Sequence, residues 1–156
     1  MTWPMSSVRL LALPAHTCLL LSWDVIGVEN LRSIRTDLHR FLAAGPPPQR
    51  AGHHDIAQRM GLVATELAGN ALRHGLPPVV VRLLRDADCY FLDVTDRDLH
   101  RAPEPVEACH HSRAGGRGLH LAASLTQQLC WYREDNIKHV WASFPAPPAP
   151  SEGTGL

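Results

Sequence analysis

Residues Thr65–Gly75 read TELAGNALRHG. Through this stretch and ahead of it, Ile56, Met60, Val63, Leu67 and Ala71 recur at helical spacing. The spacing predicts an amphipathic helix over Asp55–His74, with Gly75 and then Pro77-Pro78 as its stop. Glu66 and Asn70 are four apart, so they sit one turn above each other at the edge of the apolar stripe. Arg73 and His74 carry that face another turn. The pair has two chemical uses. An amide oxygen can ligate a hard cation such as Mg²⁺, and a carboxylate can orient or deprotonate a nucleophile. A solvated polar edge would look the same, so the pair needs its surroundings.

Upstream, His16–Trp23 (HTCLLLSW) reads as a buried strand, and Glu29–Ala44 as an amphipathic helix. Gly45 and Pro46-Pro47-Pro48 stop that helix. Downstream, Val79–Leu84 (VVVRLL) and Cys89–Thr95 (CYFLDVT) read as strands joined by a hairpin at Arg85–Asp88. The polar stretch Asp96–Ala114 reads as a loop. Gly115-Gly116-Arg117-Gly118 leads into a helical pattern over Leu119–Cys130, and His139–Phe144 (HVWASF) reads as a last strand. Residues 1–8 and 145–156 lack periodicity, and the latter are Pro, Ala, Ser and Gly. One domain over residues 9–144, flanked by two loose tails, is the expected organisation.

Two further features carry chemistry. Asp96 closes a buried strand, where a carboxylate can floor a cleft and accept a hydrogen bond from an exocyclic amine. Asp93 differs from it in strand parity, so the two should point to opposite faces. Glycines directly before a helix let backbone N–H groups approach an anion at the positive end of the helix dipole. Arg117 adds a fork suited to phosphate. A strand ending in a polar turn and a plain helix start are the plainer readings of the same residues.

Composition narrows the function classes. The chain has 156 residues, 45% hydrophobic and 19% charged, as in ordinary globular proteins. Lys plus Arg is 15 and Asp plus Glu is 15, which gives no electrostatic footprint for nucleic acid or an anionic membrane. Lys138 is the only lysine. The stretch Leu10–Val28 is apolar but broken by Pro14, His16 and Asp24, and no run reaches the length of a membrane span. A leader over Arg9–Leu21 is an alternative reading of part of it. The cysteines Cys18, Cys89, Cys109 and Cys130 are widely spread with no C-x-x-C pair, which suits a reduced, cytoplasmic protein.

The order of these features has a family likeness. TELAGNALRHG, FLDVTD, GGRGLHLAASL and HVWASF resemble the histidine-kinase-like ATPase superfamily with its Bergerat ATP-binding fold. Within it they look most like the stand-alone anti-sigma-factor serine/threonine kinases of bacteria. The likeness runs from about Glu29 to Phe144. It implies an α/β, two-layer fold: a mixed, largely antiparallel sheet with helices on one face. It implies ATP and Mg²⁺ as cofactors. It implies Glu66 as catalytic acid/base, Asn70 as the Mg²⁺ ligand and Asp96 as acceptor for the adenine amino group. His74 and Leu119 fall at cofactor-binding positions. Gly116, Arg117 and Gly118 match the loop that cradles phosphates.

The implied activity is phosphoryl transfer to a serine or threonine of an anti-anti-sigma (STAS-type) partner, with a sigma factor as a second partner and a homodimer as the assembly. Asp98 departs from the family pattern, because the third position of D-x-G carries a carboxylate near an anionic ligand. That departure supports an alternative: a binding module that sequesters a sigma factor or other regulator, with or without nucleotide. The loop residues Cys109-His110-His111, with His53-His54 as further metal ligands, raise a third reading, a metal- or redox-responsive regulator.

Overall fold

The computed structural model describes residues 9–44, 50–100 and 122–147, without the side chains of residues 50–53. In chain order the elements are β1 (Arg9–Leu10), β2 (Cys18–Val25), α1 (Glu29–Ala43), α2 (Arg50–His74), β3 (Val79–Arg85), β4 (Cys89–Asp96), β5 (Gln128–Glu134) and β6 (Ile137–Pro145). The strands form one six-stranded sheet in the order β1-β5-β6-β4-β3-β2. Only β1 runs parallel to its neighbour. The sheet is therefore mixed and largely antiparallel, as expected.

Period-2 alternation assigns the two faces. Val79, Val81 and Leu83 of β3, Tyr90, Leu92 and Val94 of β4, and Val140, Ala142 and Phe144 of β6 share one core. Ile34, Leu38 and Leu42 of α1 and Ala57, Met60, Val63, Leu67 and Ala71 of α2 fill the other side of it. That is the apolar stripe read from the sequence. Leu92, Leu83 and Val63 are fully buried, each contributing about 1.5–3 kcal/mol by transfer from water. Both helices lie on this face. Trp23 Nε1 donates to Asp37 Oδ2 at 2.9 Å, tying β2 to α1. Asn30 Oδ1 accepts from the backbone N–H groups of Ile26 and Gly27, which fixes the corner between them.

The opposite face has its own smaller apolar cluster of Leu84, Phe91, Cys130 and Trp141. The N-terminal segment folds over it. Trp141 Nε1 donates to Leu11 O at 2.8 Å, Leu11 N donates to Trp131 O, and Leu13 packs on the cluster.

Several elements differ from the sequence reading. Helix α2 starts at Arg50, five residues before the expected Asp55. Strand β2 lies at Cys18–Val25 and not His16–Trp23. The helix expected over Leu119–Cys130 is the main correction. Residues 122–125 are helical, but Gln128–Glu134 is strand β5. It pairs with β6 through a two-residue turn in which Asp135 and Asn136 have φ of 52° and 59°, as a primed hairpin turn requires. Strand β6 runs to Pro145, one residue past the boundary expected at 144. Beyond it, Ala146 N donates to Asp88 O, and Pro147 O accepts from Arg85.

Candidate functional site

Helix α2 ends where its pattern ends. Gly75 N donates to Ala71 O at 2.8 Å, and Leu76, Pro77 and Pro78 turn the chain into β3. On the helix, Glu66 and Asn70 are half-buried and His74 is exposed. Glu66 and Asn70 thus sit at the core boundary, as their spacing requires. Asp96 is the last residue of β4 and is 2% exposed, on the helix side of the sheet. The turn after α2 reaches it directly. A Cβ at position 75 would lie 2.6 Å from Asp96 Cγ, and 2.7 Å from both Asp96 Oδ2 and Ala71 O. Only the absence of a side chain lets the helix end approach that carboxylate so closely.

The Asp96 carboxylate is held on two sides. Oδ1 accepts from the backbone N–H of Asp98 at 2.7 Å and, more loosely, from that of Leu76 at 3.5 Å. Oδ2 pairs with Lys138 Nζ at 3.2 Å. Lys138 lies directly across from Asp96 in the β4–β6 register and is 6% exposed. Asp98 takes part through its main chain, and its own Oδ1 accepts from His100 N at 3.1 Å. Its φ is not positive, so this turn does not demand glycine. The departure from D-x-G is therefore accommodated in the backbone, while the buried carboxylate adds negative charge beside Asp96.

The structure thus gathers Gly75, Leu76, Asp96, Asp98 and Lys138 at the end of the helix that carries Glu66 and Asn70. Gly116, Arg117, Gly118 and Leu119 lie outside the described residues, as do Cys109, His110 and His111. Sequence reasoning missed Lys138 and the role of Gly75. The signal for Lys138 was its being the chain's sole lysine, just ahead of the last strand as read from the sequence at His139–Phe144. The signal for Gly75 was present but read only as a helix stop.

A cavity of about 520 Å³ opens at the same end of α2, lined by Ala71, Leu72, Gly75, Pro77 and Pro78 with Val25 of β2 and the following Ile26 among its other walls. Its size suits a small molecule, but Glu66, Asn70, His74 and Asp96 do not line it. The carboxylate and carboxamide chemistry therefore stands apart from it.

Asp93, three residues before Asp96, points to the other face, as strand parity requires. It is wholly buried and pairs with Arg82 of β3 and with His139 Nδ1 at 3.0 Å. The His139 ring stacks on Tyr132, with centroids 4.3 Å apart. Burial and the Asp93 charge push the Tyr132 phenol up to about 12, with Glu134 adding to the rise and Arg82 opposing it. Every member of this network has a partner inside the sheet.

Among the described residues, no group of three or more His, Cys, Asp or Glu is placed to hold a metal. His54 is exposed beside His39, with ring centroids 5.7 Å apart. No helix of the described residues is long and apolar enough to cross a membrane.

A search of curated proteins finds no match to the chain. A family model does match, over residues 27–144, and its description is histidine kinase-like ATPase domain. That span begins in the corner after β2 and takes in both helices, the Asp96 turn and all but the last residue of β6. A helix bearing Glu66 and Asn70 over a mixed sheet that ends a strand in Asp96 is the arrangement expected of an ATP-binding domain of this kind, and the chain belongs to the histidine kinase-like ATPase domain family.

Proposed function

We propose that this ATP-binding regulatory domain acts as a serine/threonine protein kinase on an anti-anti-sigma (STAS-type) partner. The observation that carries the reading is the pairing of Glu66 and Asn70, half-buried one turn apart on α2, with the buried Asp96 at that helix's end. These donors fit the ligand. An amide oxygen beside a carboxylate suits Mg²⁺, whose usual protein ligands are few oxygens. A buried, oriented carboxylate suits an exocyclic amine.

In this reading Asp96 accepts from the adenine amino group and Asn70 Oδ1 would hold the cation, which would supply charge neutralisation at the phosphates. Gly116, Arg117 and Gly118 supply the donors around the phosphates, and His74 and Leu119 flank the nucleotide. Glu66 takes the proton from the partner's hydroxyl as its oxygen bonds to the γ-phosphorus and the bond to the β–γ bridging oxygen breaks, leaving ADP. Such transfer depends mainly on positioning and charge stabilisation. A second reading, sequestration of a sigma factor or other regulator without transfer, is favoured by one observation: the buried Asp98 carboxylate beside Asp96.

The test has two stages. Thermal unfolding with Mg·ATP should show a rise in midpoint that Asn70→Ala abolishes. Transfer of label from γ-labelled ATP to STAS-domain proteins of the same genome should then be lost in Glu66→Ala, which keeps its nucleotide-induced rise. Partner binding without transfer in the wild type would move the assignment to sequestration. No rise at millimolar Mg·ATP would sink the nucleotide site itself.

A further inference from the structure

The cavity at the end of α2 has no part in the phosphoryl-transfer reading, and its walls restrict what it can hold. At about 520 Å³ it falls within the range of small-molecule sites. Those walls are short of hydrogen-bonding groups. Pro77 and Pro78 have no N–H. The N–H of Gly75 is taken by Ala71 O and that of Ile26 by Asn30 Oδ1, while Ala71 and Leu72 lie inside the hydrogen-bonded helix. A polar molecule entering would give up water for few partners, and each unmet group carries a desolvation cost. Asp24 is the one charged residue among the walls, and its carboxylate disfavours an anion. An apolar molecule without negative charge is what remains. The mouth repeats the preference. Ile26 is 87% exposed, and Leu76, between the wall residues Gly75 and Pro77, is 53% exposed. Large apolar side chains left in water around a hollow mark a binding surface.

The cavity also shares a wall with Asp96. Gly75 lines it, and a Cβ at that position would stand 2.6 Å from Asp96 Cγ. Ala71 lines it too, and its carbonyl oxygen is the other near neighbour of that Cβ. The next residue, Leu76, points its N–H at Asp96 Oδ1 from 3.5 Å. The cavity is thus open in the same arrangement in which the turn after α2 rests against the carboxylate. A molecule that fills it favours this arrangement over any in which the turn moves, because a ligand shifts an equilibrium by its differential affinity for the two states.

We propose that this cavity is an effector site for a small apolar molecule carrying no negative charge, and that its occupancy is passed through Gly75 to Asp96. The effect on nucleotide affinity rests on the adenine reading of Asp96; the binding of the apolar molecule does not.

The experiment uses the full chain and two probes built on one skeleton: neutral N-phenylnaphthylamine, and anilinonaphthalene sulfonate, which adds an anionic group. Backbone amide NMR locates each of them. Without nucleotide, the neutral probe should move the amide signals of Ile26, Leu72 and Gly75 at the cavity, together with that of Asp98, whose N–H donates to Asp96 Oδ1. The sulfonate should bind about tenfold more weakly. Ile26→Asp, at a position exposed enough to leave the fold intact, should weaken the neutral probe by about tenfold too, with circular dichroism as the check on folding. With the neutral probe saturating, Mg·ATP should bind about fivefold tighter, at the lower end of usual coupling between sites. Cavity amides that the neutral probe leaves unmoved would overturn the site and leave its apolar walls to a protein partner. Equal binding of the two probes would overturn the assigned ligand class. Cavity amides that move while Asp98 and the ATP affinity stay unchanged would overturn the transmission. A chain that binds no Mg·ATP with or without probe defeats the adenine reading, and the amide shifts still decide the cavity.

Discussion

Replacing Gly75 by alanine tests how closely the end of α2 must approach Asp96. The added Cβ would lie 2.6 Å from Asp96 Cγ, where ordinary contact begins at 3.4 Å, so a displacement of 0.8 Å must be found. The room is scarce. Asp96 is held by Asp98 N and Lys138, and the second obstacle is the Ala71 carbonyl oxygen, fixed in the helix. Forcing extra volume into a packed site costs about 1–3 kcal/mol. The φ of Gly75 is not positive, so alanine also limits the unfolded chain and returns about 0.4–1 kcal/mol. The net loss is about 1–2 kcal/mol, or a midpoint roughly 2–8 °C lower for a domain of this size.

The same displacement acts on a bound nucleotide. At 100 times Kd a ligand adds about 2.7 kcal/mol of stability, and a tenfold loss of affinity at the same concentration leaves about 1.4. The rise with Mg·ATP should therefore fall by about half. Differential scanning fluorimetry, with and without Mg·ATP, reads both quantities in one experiment. An alanine variant as stable as wild type, with its full ATP-induced rise, would refute the claim that this close approach sets the carboxylate's position.

Two further outcomes concern the other face of the sheet. Asp93→Ala leaves Arg82 and His139 without their shared carboxylate, and loss of one partner of a buried pair costs about 3–5 kcal/mol. Partial exposure of Arg82 puts the expectation at the lower end, about 3 kcal/mol by urea unfolding, with the ATP-induced rise unchanged; a loss below about 1 kcal/mol would contradict it. The Tyr132 phenol is raised in the folded state to about 12, from an ordinary value of 10.0. Its neutral form is thus favoured by folding, so that contribution is whole below pH 10.0 and is lost as pH climbs toward 12. Urea midpoints across that window should decline less in Tyr132→Phe than in wild type, and parallel declines would remove the phenol as the cause.

Helix α2, strands β3 and β4 and the hairpin between them were legible because period and punctuation agreed. One apolar stripe ran from Ile56 to Ala71, Gly75 and the prolines closed it, and two β-branched or aromatic runs followed. Strand β5 was illegible for a physical reason. Leu129 and Trp131 face the helix-side core, while Cys130 belongs to the second cluster and Tyr132 stacks on His139. Both faces are apolar, so no alternation marks a strand, and the leucines and alanines upstream extend a helical period into it. The turn that makes the hairpin uses Asp135-Asn136 in left-handed backbone, a weaker signature than one with glycine. Glu66, Asn70 and Asp96 could be placed in the sequence because each depends on local position. Lys138 could not, because its partner lies 42 residues away and the β4–β6 register alone brings them together.

Strand β4 also holds two buried carboxylates, three residues apart, in different surroundings. Asp93 is enclosed by side chains from both neighbouring strands, Arg82 of β3 and His139 of β6. A ligand reaching it would have to displace one of them and leave a buried charge behind, which is the costliest exchange available. Asp96 stands at the strand's end, and its Oδ1 is held by main-chain N–H groups of the turns beside it. Main-chain donors have no rotamers to change. A carboxylate held that way keeps its orientation whether or not a ligand is present, which is the preorganisation that makes recognition inexpensive. Asp93 thus ties β4 to both of its neighbours through their side chains, whereas Asp96, almost as deeply buried, takes its orientation from the main chain of the turns and from one side chain, Lys138.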